Sequence, residues 1–496
     1  MDPSKGHSGD FRWIQYRLRV DLLLTLRRGR LAADAYRALE EAILDGRLRP
    51  GERLPATREL ARRLDVSRNT ILQAYAQLVA EGFATGRRGA GTFVTASGVA
   101  AARRRAPTHA AIRARPIWTA LARPAAPAPA VAYDFQIGAP DPALFPWDAW
   151  RWLVSRELRG RRARAGYPPP EGDPGARAAI ARHVGVSRAV RAGADDLVLT
   201  SGAQQALDLV ARALLAPGDR VAVEEPGYPP ARLLFASLGA RVVPVPVDAE
   251  GLDVAAIPDD VRLVYVTPSH QFPLGGPMSL PRRLALLAFA ERTGAAIVED
   301  DYDSEFRFDG RPLEPLQTLD RRGRVLYVGS FSKVLLPTLR LGFVVAPAPL
   351  VPALRAAKAL VDSHGPLELQ RALAAFVDEG LLARHVRRLL RVYRERRDRL
   401  AAAVATTLGD RVVPITSVAG LHQSVLFRDP GVDEDAVVRR ALALDVAVQP
   451  LAPFHAARPR PGLALGYGMI PAARIDEGVR RLAAAIPAAR AGRPRR

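Results

Sequence analysis

Cysteine is absent from all 496 residues. That excludes disulfide bonds, thiol nucleophiles and metal sites built on thiolates. No apolar run approaches the ~20 residues that a membrane-spanning helix requires. Residues 1–30 contain Leu22-Leu23-Leu24 but neither the apolar core nor the small-residue cleavage site of a secretion signal. A soluble, cytoplasmic protein is the expectation. Lysine is scarce as well: only Lys5, Lys333 and Lys358 stand among 72 basic residues. Acid is short, with 51 Asp and Glu, which leaves a formal charge of +21.

What remains is a globular composition, 48% apolar and 25% charged, long enough for two or more domains. The charge is uneven. Residues 1–131 carry a net +12, and the other 365 carry +9. A front quarter so much more basic per residue suits a nucleic-acid-binding module, although arginine is abundant throughout.

The front of the chain has the punctuation of a helix-turn-helix. Apolar residues recur at helical spacing from Leu31 to Leu44, through Leu39 and Ile43, and Gly46 and Pro50-Gly51 end the run. A second helix is expected over Arg58 to Leu64, capped by Thr57, with Glu59 in its first turn. Asp65-Val66 makes a tight turn. Ser67 then caps a third helix, Arg68 to Glu81, with Ile71, Leu72, Tyr75 and Leu78 as its apolar face and Gly82 as its stop. Phe83 to Val94, with Gly86, Gly89, Gly91 and Arg87-Arg88, suits a two-stranded wing. In such a motif the last helix enters the major groove N-terminus first. Ser67, Arg68, Asn69 and Thr70 occupy that end, and all can donate to phosphates or base edges.

The stretch GRLRPGERLPATRELARRLDVSRNTILQAYAQLVAEGF, followed by RRGAGTFV, resembles the winged helix-turn-helix of GntR-type transcription regulators almost throughout. The resemblance implies contacts to double-stranded operator DNA from Arg58, Ser67, Arg68, Asn69 and Thr70, and from the wing at Arg87, Gly89 and Gly91. Ala56 stands where that family usually has Ser. Residues 96–131, with Arg103-Arg104-Arg105 and a Pro/Ala run from Pro124 to Pro129, read as an extended linker.

Beyond the linker, apolar runs alternate with helical patterns. Candidate strands are Leu197 to Thr200, Val221 to Val223, Leu263 to Val266, Ala295 to Val298 and Val325 to Val328. This alternation predicts an α/β fold around a mainly parallel sheet, with ligands at the carboxyl ends of its strands. Polar residues gather at those ends. Ser201, Gly202, Ala203 and Gln204 open a helix whose free N–H groups can hold a phosphate. Tyr228 can stack on a flat ring. Asp300 can pair with a protonated ring nitrogen, and Tyr302 can donate to a phenolic oxygen. Lys333 follows the turn Gly329-Ser330-Phe331-Ser332. A lysine desolvated there has a lowered pKa, which suits a Schiff base with an aldehyde cofactor. Arg340 completes a phosphate site.

From about Tyr167 to Ala346, and more weakly to the end, this order of residues resembles the fold-type-I aminotransferases, which use pyridoxal 5'-phosphate. The resemblance implies the cofactor lysine at Lys333 in SFSK, the pyridine-nitrogen carboxylate at Asp300, and a phenol-contacting Tyr302 in EDDYDSEFR. It implies phosphate contacts from Gly202, Ala203, Gln204, Ser330, Ser332 and Arg340, and ring stacking by Tyr228 in EEPGYPPAR. Tyr167 matches a tyrosine that reaches the phosphate in the partner subunit, which implies a homodimer. TPSHQFPLG departs from the family's pattern, with Phe272 where an asparagine is usual. His270 or Gln271 is left to supply any polar contact there.

The combination resembles the MocR subgroup of bacterial regulators, which includes the GabR- and PdxR-like proteins. It implies a winged helix over residues 1–95, a linker over 96–131 and an aminotransferase-like body over 132–496. The body would divide into a large domain at about 160–375 and a small domain mostly at 376–496, the latter led by a long helix from Leu381. It further implies a head-to-tail, domain-swapped homodimer that senses pyridoxal 5'-phosphate or its adduct with an amino compound. The alternative is a working transaminase with an accessory DNA-binding arm. Aminotransferases usually hold the substrate carboxylate with an arginine near the C-terminus. GLALGYGMI has Ala464 at the equivalent place, with Arg458 and Arg460 a few residues earlier. That weighs against the transaminase.

Overall fold

The computed structural model describes residues 11–17, 21–27, 30–96, 112–121, 131–159, 166–308, 314–457 and 459–487. The chain separates into two compact units, Met1–Pro116 and Ile117–Arg496. The division falls inside the stretch read as a linker. Arg103–Arg105 and Pro124–Pro129 lie outside the described residues, while Pro116–Leu121 forms a short helix between them.

The first unit begins with an antiparallel hairpin, β1 (Phe11–Arg17) and β2 (Asp21–Arg27), which the sequence reading did not anticipate. Three helices follow, α1 (Leu31–Leu44), α2 (Thr57–Arg63) and α3 (Arg68–Ala80). Then comes the wing, β3 (Ala84–Arg87) paired antiparallel with β4 (Gly91–Val94). The helices close on one core because their apolar residues repeat at the helical period. Tyr36, Leu39 and Ile43 of α1 meet Leu60 of α2 and Ile71, Tyr75 and Leu78 of α3. Two local expectations change. Thr57 is the first residue of α2, not its cap; Ala56 holds the cap position and has no side-chain oxygen to offer. Leu72 is 42% exposed, and Ala74 takes its place on the buried face. The spacing explains this, since residues 71, 74, 75 and 78 lie on one side of a helix and 72 does not.

The second unit is built on an eight-stranded sheet. In chain order its strands are β6 (Leu197–Thr200), β7 (Arg220–Glu225), β8 (Arg241–Asp248), β9 (Gly251–Leu252), β10 (Val261–Val266), β11 (Ala296–Asp301), β12 (Val325–Ser330) and β13 (Gly342–Val345). In space the order is β6-β13-β12-β11-β10-β7-β8-β9. The strands from β8 across to β12 are mutually parallel, while β13 runs antiparallel to both β12 and β6. No crossover helix separates β12 from β13, so the chain simply returns alongside. β11 is longer than expected and includes Glu299, Asp300 and Asp301. These acids stay in a buried strand because each has a polar partner. Glu299 accepts from Leu316 N and Gln317 N, Asp300 from Tyr265, and Asp301 from Arg188 and Tyr327.

A short parallel pair joins β5 (Tyr133–Asp134) to β16 (Val446–Ala447). A four-stranded antiparallel sheet contains β14 (Val412–Pro414), β15 (His422–Phe427), β17 (Gln449–Pro450) and β18 (Gly462–Gly466). The 28-residue helix Leu381–Leu408 and the helix Ala472–Ala485 pack together beside it. The long helix buries Leu382, Leu389 and Tyr393, and leaves Arg384, Arg387, Arg388 and Arg391 exposed. Within this one compact unit, the part around the four-stranded sheet is called the small lobe and the part around the eight-stranded sheet the large lobe.

Candidate functional site

The carboxyl ends of β6, β10, β11 and β12 surround a cavity of about 260 Å³. Asp300 and Lys333 face each other through it. Asp300 is 4% exposed. Its Oδ2 accepts from Tyr265 Oη at 2.8 Å, and its Oδ1 is buried with no hydrogen-bond partner among the described residues. Burial pushes its carboxyl up to about 7, against the opposing pull of the Tyr265 hydroxyl. Burial lowers the Lys333 ammonium, and the carboxylates of Asp303 and Asp300 only partly offset this. Lys333 Nζ donates to Gly138 O at 2.5 Å.

The floor of the cavity is a polar cradle. Ser330 Oγ donates to Ser332 Oγ at 2.8 Å and accepts from Ser332 N at 3.1 Å. Ala203 begins the helix Ala203–Leu214, so its N–H and that of Gln204 point outward from a helix N-terminus. Gln204 itself turns toward Pro230 O, with Nε2 at 3.2 Å. Arg340 adopts a left-handed conformation, φ 54°, and its Nη2 reaches Ser201 O at 2.5 Å. Gly202 lets it come so close: with φ 80°, a Cβ there would lie 2.8 Å from Arg340 Nη2. Gly202 therefore backs the cradle without lining the cavity.

One wall is aromatic. Tyr228 and Phe272 meet edge to face, with centroids 5.4 Å apart, and Phe272 also meets Tyr302 at 5.8 Å. Burial pushes the Tyr228 hydroxyl up to about 12. Neither His270 nor Gln271 lines the cavity, contrary to the polar contact expected of one of them. Gln271 Nε2 folds back onto Pro226 O and Phe272 O, at 2.8 and 2.7 Å. His270 stands behind the lining residues: its Nδ1 lies 2.8 Å from Tyr302 Oη and 3.0 Å from Asp303 Oδ2, and its ring lies 5.0 Å from that of His422. Tyr167 is 89% exposed and stands outside the cavity of its own chain, beside His364.

Several lining residues escaped the sequence reading. Thr267 and Phe272 sit in or beside a motif already quoted, as does Asp303 in EDDYDSEFR. Tyr265 lies within β10, inside the continuous apolar run from Leu263 to Val266, which made it look like ordinary core. His422 comes from β15 of the small lobe, far along the chain, and no local signal marks it. Burial takes its ring down to about 3, with the charges of His270 and Lys333 adding to the effect, so it is neutral. Ala464 is fully buried in β18, paired with Ser424 and Gln449. Arg460 is exposed, and Arg458 lies outside the described residues.

In the first unit, Ser67 Oγ accepts from Thr70 N at 3.1 Å and caps α3. Arg58, Arg68 and Asn69 are exposed, as is Arg87, whose guanidinium packs over Phe93 at 5.0 Å. Gly89 and Gly91 take φ of 76° and 111°, which the wing's turn requires. A Cβ at Gly91 would lie 2.8 Å from Arg53 Nε.

Residues 31–94 match the family described as bacterial regulatory proteins, gntR family, and residues 141–482 match aminotransferase class I and II. A probable rhizopine catabolism regulatory protein, MocR, of Rhizobium meliloti is 37% identical over 91% of this chain and 92% of its own length. The HTH-type transcriptional regulator TauR of Rhodobacter capsulatus is 39% identical over 90% and 94%. Among solved structures, the α-aminoadipate aminotransferase LysN of Thermus thermophilus, complexed with N-(5'-phosphopyridoxyl)-L-leucine, superimposes with a TM-score of 0.66. It is 34% identical to this chain, covering 72% of it and 92% of LysN.

Proposed function

The chain belongs to the MocR-type transcriptional regulators, in which a GntR-type DNA-binding module is joined to a class I/II aminotransferase fold, and from that premise we propose that its second unit senses pyridoxal 5'-phosphate or the adduct of this cofactor with an amine. One observation carries the reading. A buried carboxylate oxygen without a partner, Asp300 Oδ1, faces the same cavity as a desolvated amine, Lys333. An unsatisfied buried acceptor costs ~1–3 kcal/mol, and a protonated ring nitrogen would satisfy it.

The other residues fit the same group. Ser330, Ser332, Arg340 and the N–H groups of Ala203 and Gln204 would hold its phosphate. Tyr228 would stack on its ring and Tyr302 would donate to its phenol oxygen. Lys333, whose ammonium burial disfavours, would be the amine that attaches the aldehyde. When bound, the cofactor supplies an electrophilic carbon and an electron sink for amines. Tyr167, exposed on this chain, would complete the partner subunit's phosphate site in a domain-swapped homodimer. On the DNA side, Arg58, Arg68, Asn69, Thr70, Arg87 and the Gly89 and Gly91 backbone would meet phosphates and base edges, while Ser67 orders the helix end.

Sensing is favoured over turnover because the position expected to hold an amino acid's carboxylate is Ala464, an apolar residue inside β18. Purified chain given pyridoxal 5'-phosphate is expected to gain a visible absorption band, and Lys333→Ala to lose it. An unchanged band in the variant would contradict the assignment of the amine.

A further inference from the structure

His270 is buried at the seam between the two lobes of the second unit, 1% exposed. On the large-lobe side its Nδ1 lies 2.8 Å from Tyr302 Oη and 3.0 Å from Asp303 Oδ2. On the small-lobe side its Nε2 lies 3.0 Å from Ser417 Oγ. Two glycines with positive φ clear the space: a Cβ at Gly420 would collide with the imidazole, and one at Gly275 would lie 2.8 Å from Ser417 Cβ. So close a fit leaves the ring little freedom of position.

The hydrogen count directs the chain of contacts. Ser417 has one hydroxyl hydrogen, and Ala419 O takes it at 2.8 Å. Toward His270, Ser417 Oγ is therefore an acceptor, and Nε2 carries a proton. At the other nitrogen the Asp303 carboxylate competes with Tyr302. With Nδ1 protonated toward Asp303, the Tyr302 hydrogen is free to point into the cavity. With Nδ1 bare, it accepts that hydrogen and draws it away. From this arrangement we infer that His270 is a positioning residue: Ser417 of the small lobe, acting through the His270 ring, sets where the Tyr302 hydroxyl directs its hydrogen. The state of the cofactor's phenol oxygen and the seating of the small lobe are thereby tied to one imidazole.

The inference rests on the proposed cofactor site, and its test separates the two. Ser417 touches His270 and Ala419 and does not line the cavity. Full-length wild type, Tyr302→Phe, Ser417→Ala and the double variant are titrated with pyridoxal 5'-phosphate, with affinity and the position of the visible band as readouts. Ser417→Ala alone removes the acceptor that holds the proton on Nε2, so the proton should sit on Nδ1 toward Asp303 and free the Tyr302 hydrogen; binding is expected to tighten by about threefold or more and the band to move in the sense opposite to Tyr302→Phe, and weaker binding overturns the relay. In the Tyr302→Phe background the same substitution should change neither, since interacting residues are non-additive. Additive effects, or a Ser417→Ala protein with wild-type affinity and band, overturn the relay while leaving the cofactor site intact. A wild type that binds no cofactor, or a Lys333→Ala variant that binds it as wild type does, overturns the site and the relay with it.

Discussion

Asp300→Asn is expected to make the cofactor-free protein more stable in alkali while weakening its hold on the cofactor. Asp300 titrates at about 7 in the folded chain, against an ordinary aspartate value of 3.8, and burial is the leading cause. A raised carboxylate pKa means that the folded state binds the proton more tightly. The group therefore costs little stability in acid, and its cost grows as pH rises from the unfolded value to the folded one. At ~1.36 kcal/mol per pKa unit, the full cost is on the order of 4 kcal/mol above about pH 7, and between about pH 5 and about pH 8 it grows by about 2–3 kcal/mol. Asparagine cannot ionise and still accepts from Tyr265, so it removes the cost. Glu224, Glu299 and Glu305 are also raised to about 7 by burial, so wild type keeps losing stability over the same window. The difference between the two proteins reports Asp300 together with its repulsion of Glu224 and its attraction for Lys333. The assay is denaturant unfolding of both cofactor-free proteins at the two pH values. The gap should favour the variant and widen toward pH 8, and saturating pyridoxal 5'-phosphate should reverse the order. A gap that is flat with pH, or that favours wild type in alkali, would refute the reasoning.

Other expected outcomes concern single contacts. Arg68→Ala should weaken DNA binding by ~1–3 kcal/mol on the preferred sequence if the side chain reads a base; a phosphate contact would instead lower binding on all sequences and reduce the salt slope by about one. Ser67→Ala removes the α3 cap made to Thr70 N and should cost ~1 kcal/mol of stability in denaturant unfolding. Gly202→Ala places a Cβ against Arg340 and strains a positive φ, so a loss of ~1–3 kcal/mol in stability is expected, with weaker phosphate binding by titration.

The sequence was most legible where chemistry is local. The three helices and the wing followed from apolar spacing and glycine stops, because a helix-turn-helix is decided within a few residues of each turn. Lys333, Asp300, Tyr302, Tyr228, Ser330 and Ser332 were singled out because each lies at or just past the end of a readable strand, and the structure brings them to one cavity. Residues whose role depends on distant pairing were not legible. Tyr265 looks like core until Asp300 is placed beside it. His422 and Ser417 enter only when the small lobe closes on the large one. His270 was singled out for the right motif but the wrong contact: its ring meets Tyr302, Asp303 and Ser417, and Phe272 faces the cavity instead. The acids of β11 read as following the strand because sequence alone does not reveal the partners that let charge remain inside it.

The central claim is that the cofactor site and the DNA-binding module are coupled, and one titration tests it most directly. Genomic fragments selected by the purified full-length chain are titrated with and without pyridoxal 5'-phosphate, for wild type and for Lys333→Ala. The cofactor is expected to change wild-type DNA affinity by about 5- to 150-fold, the range of a typical coupling of ~1–3 kcal/mol, and to leave the variant unchanged. Identical DNA affinities for both proteins, with and without the cofactor, would contradict it.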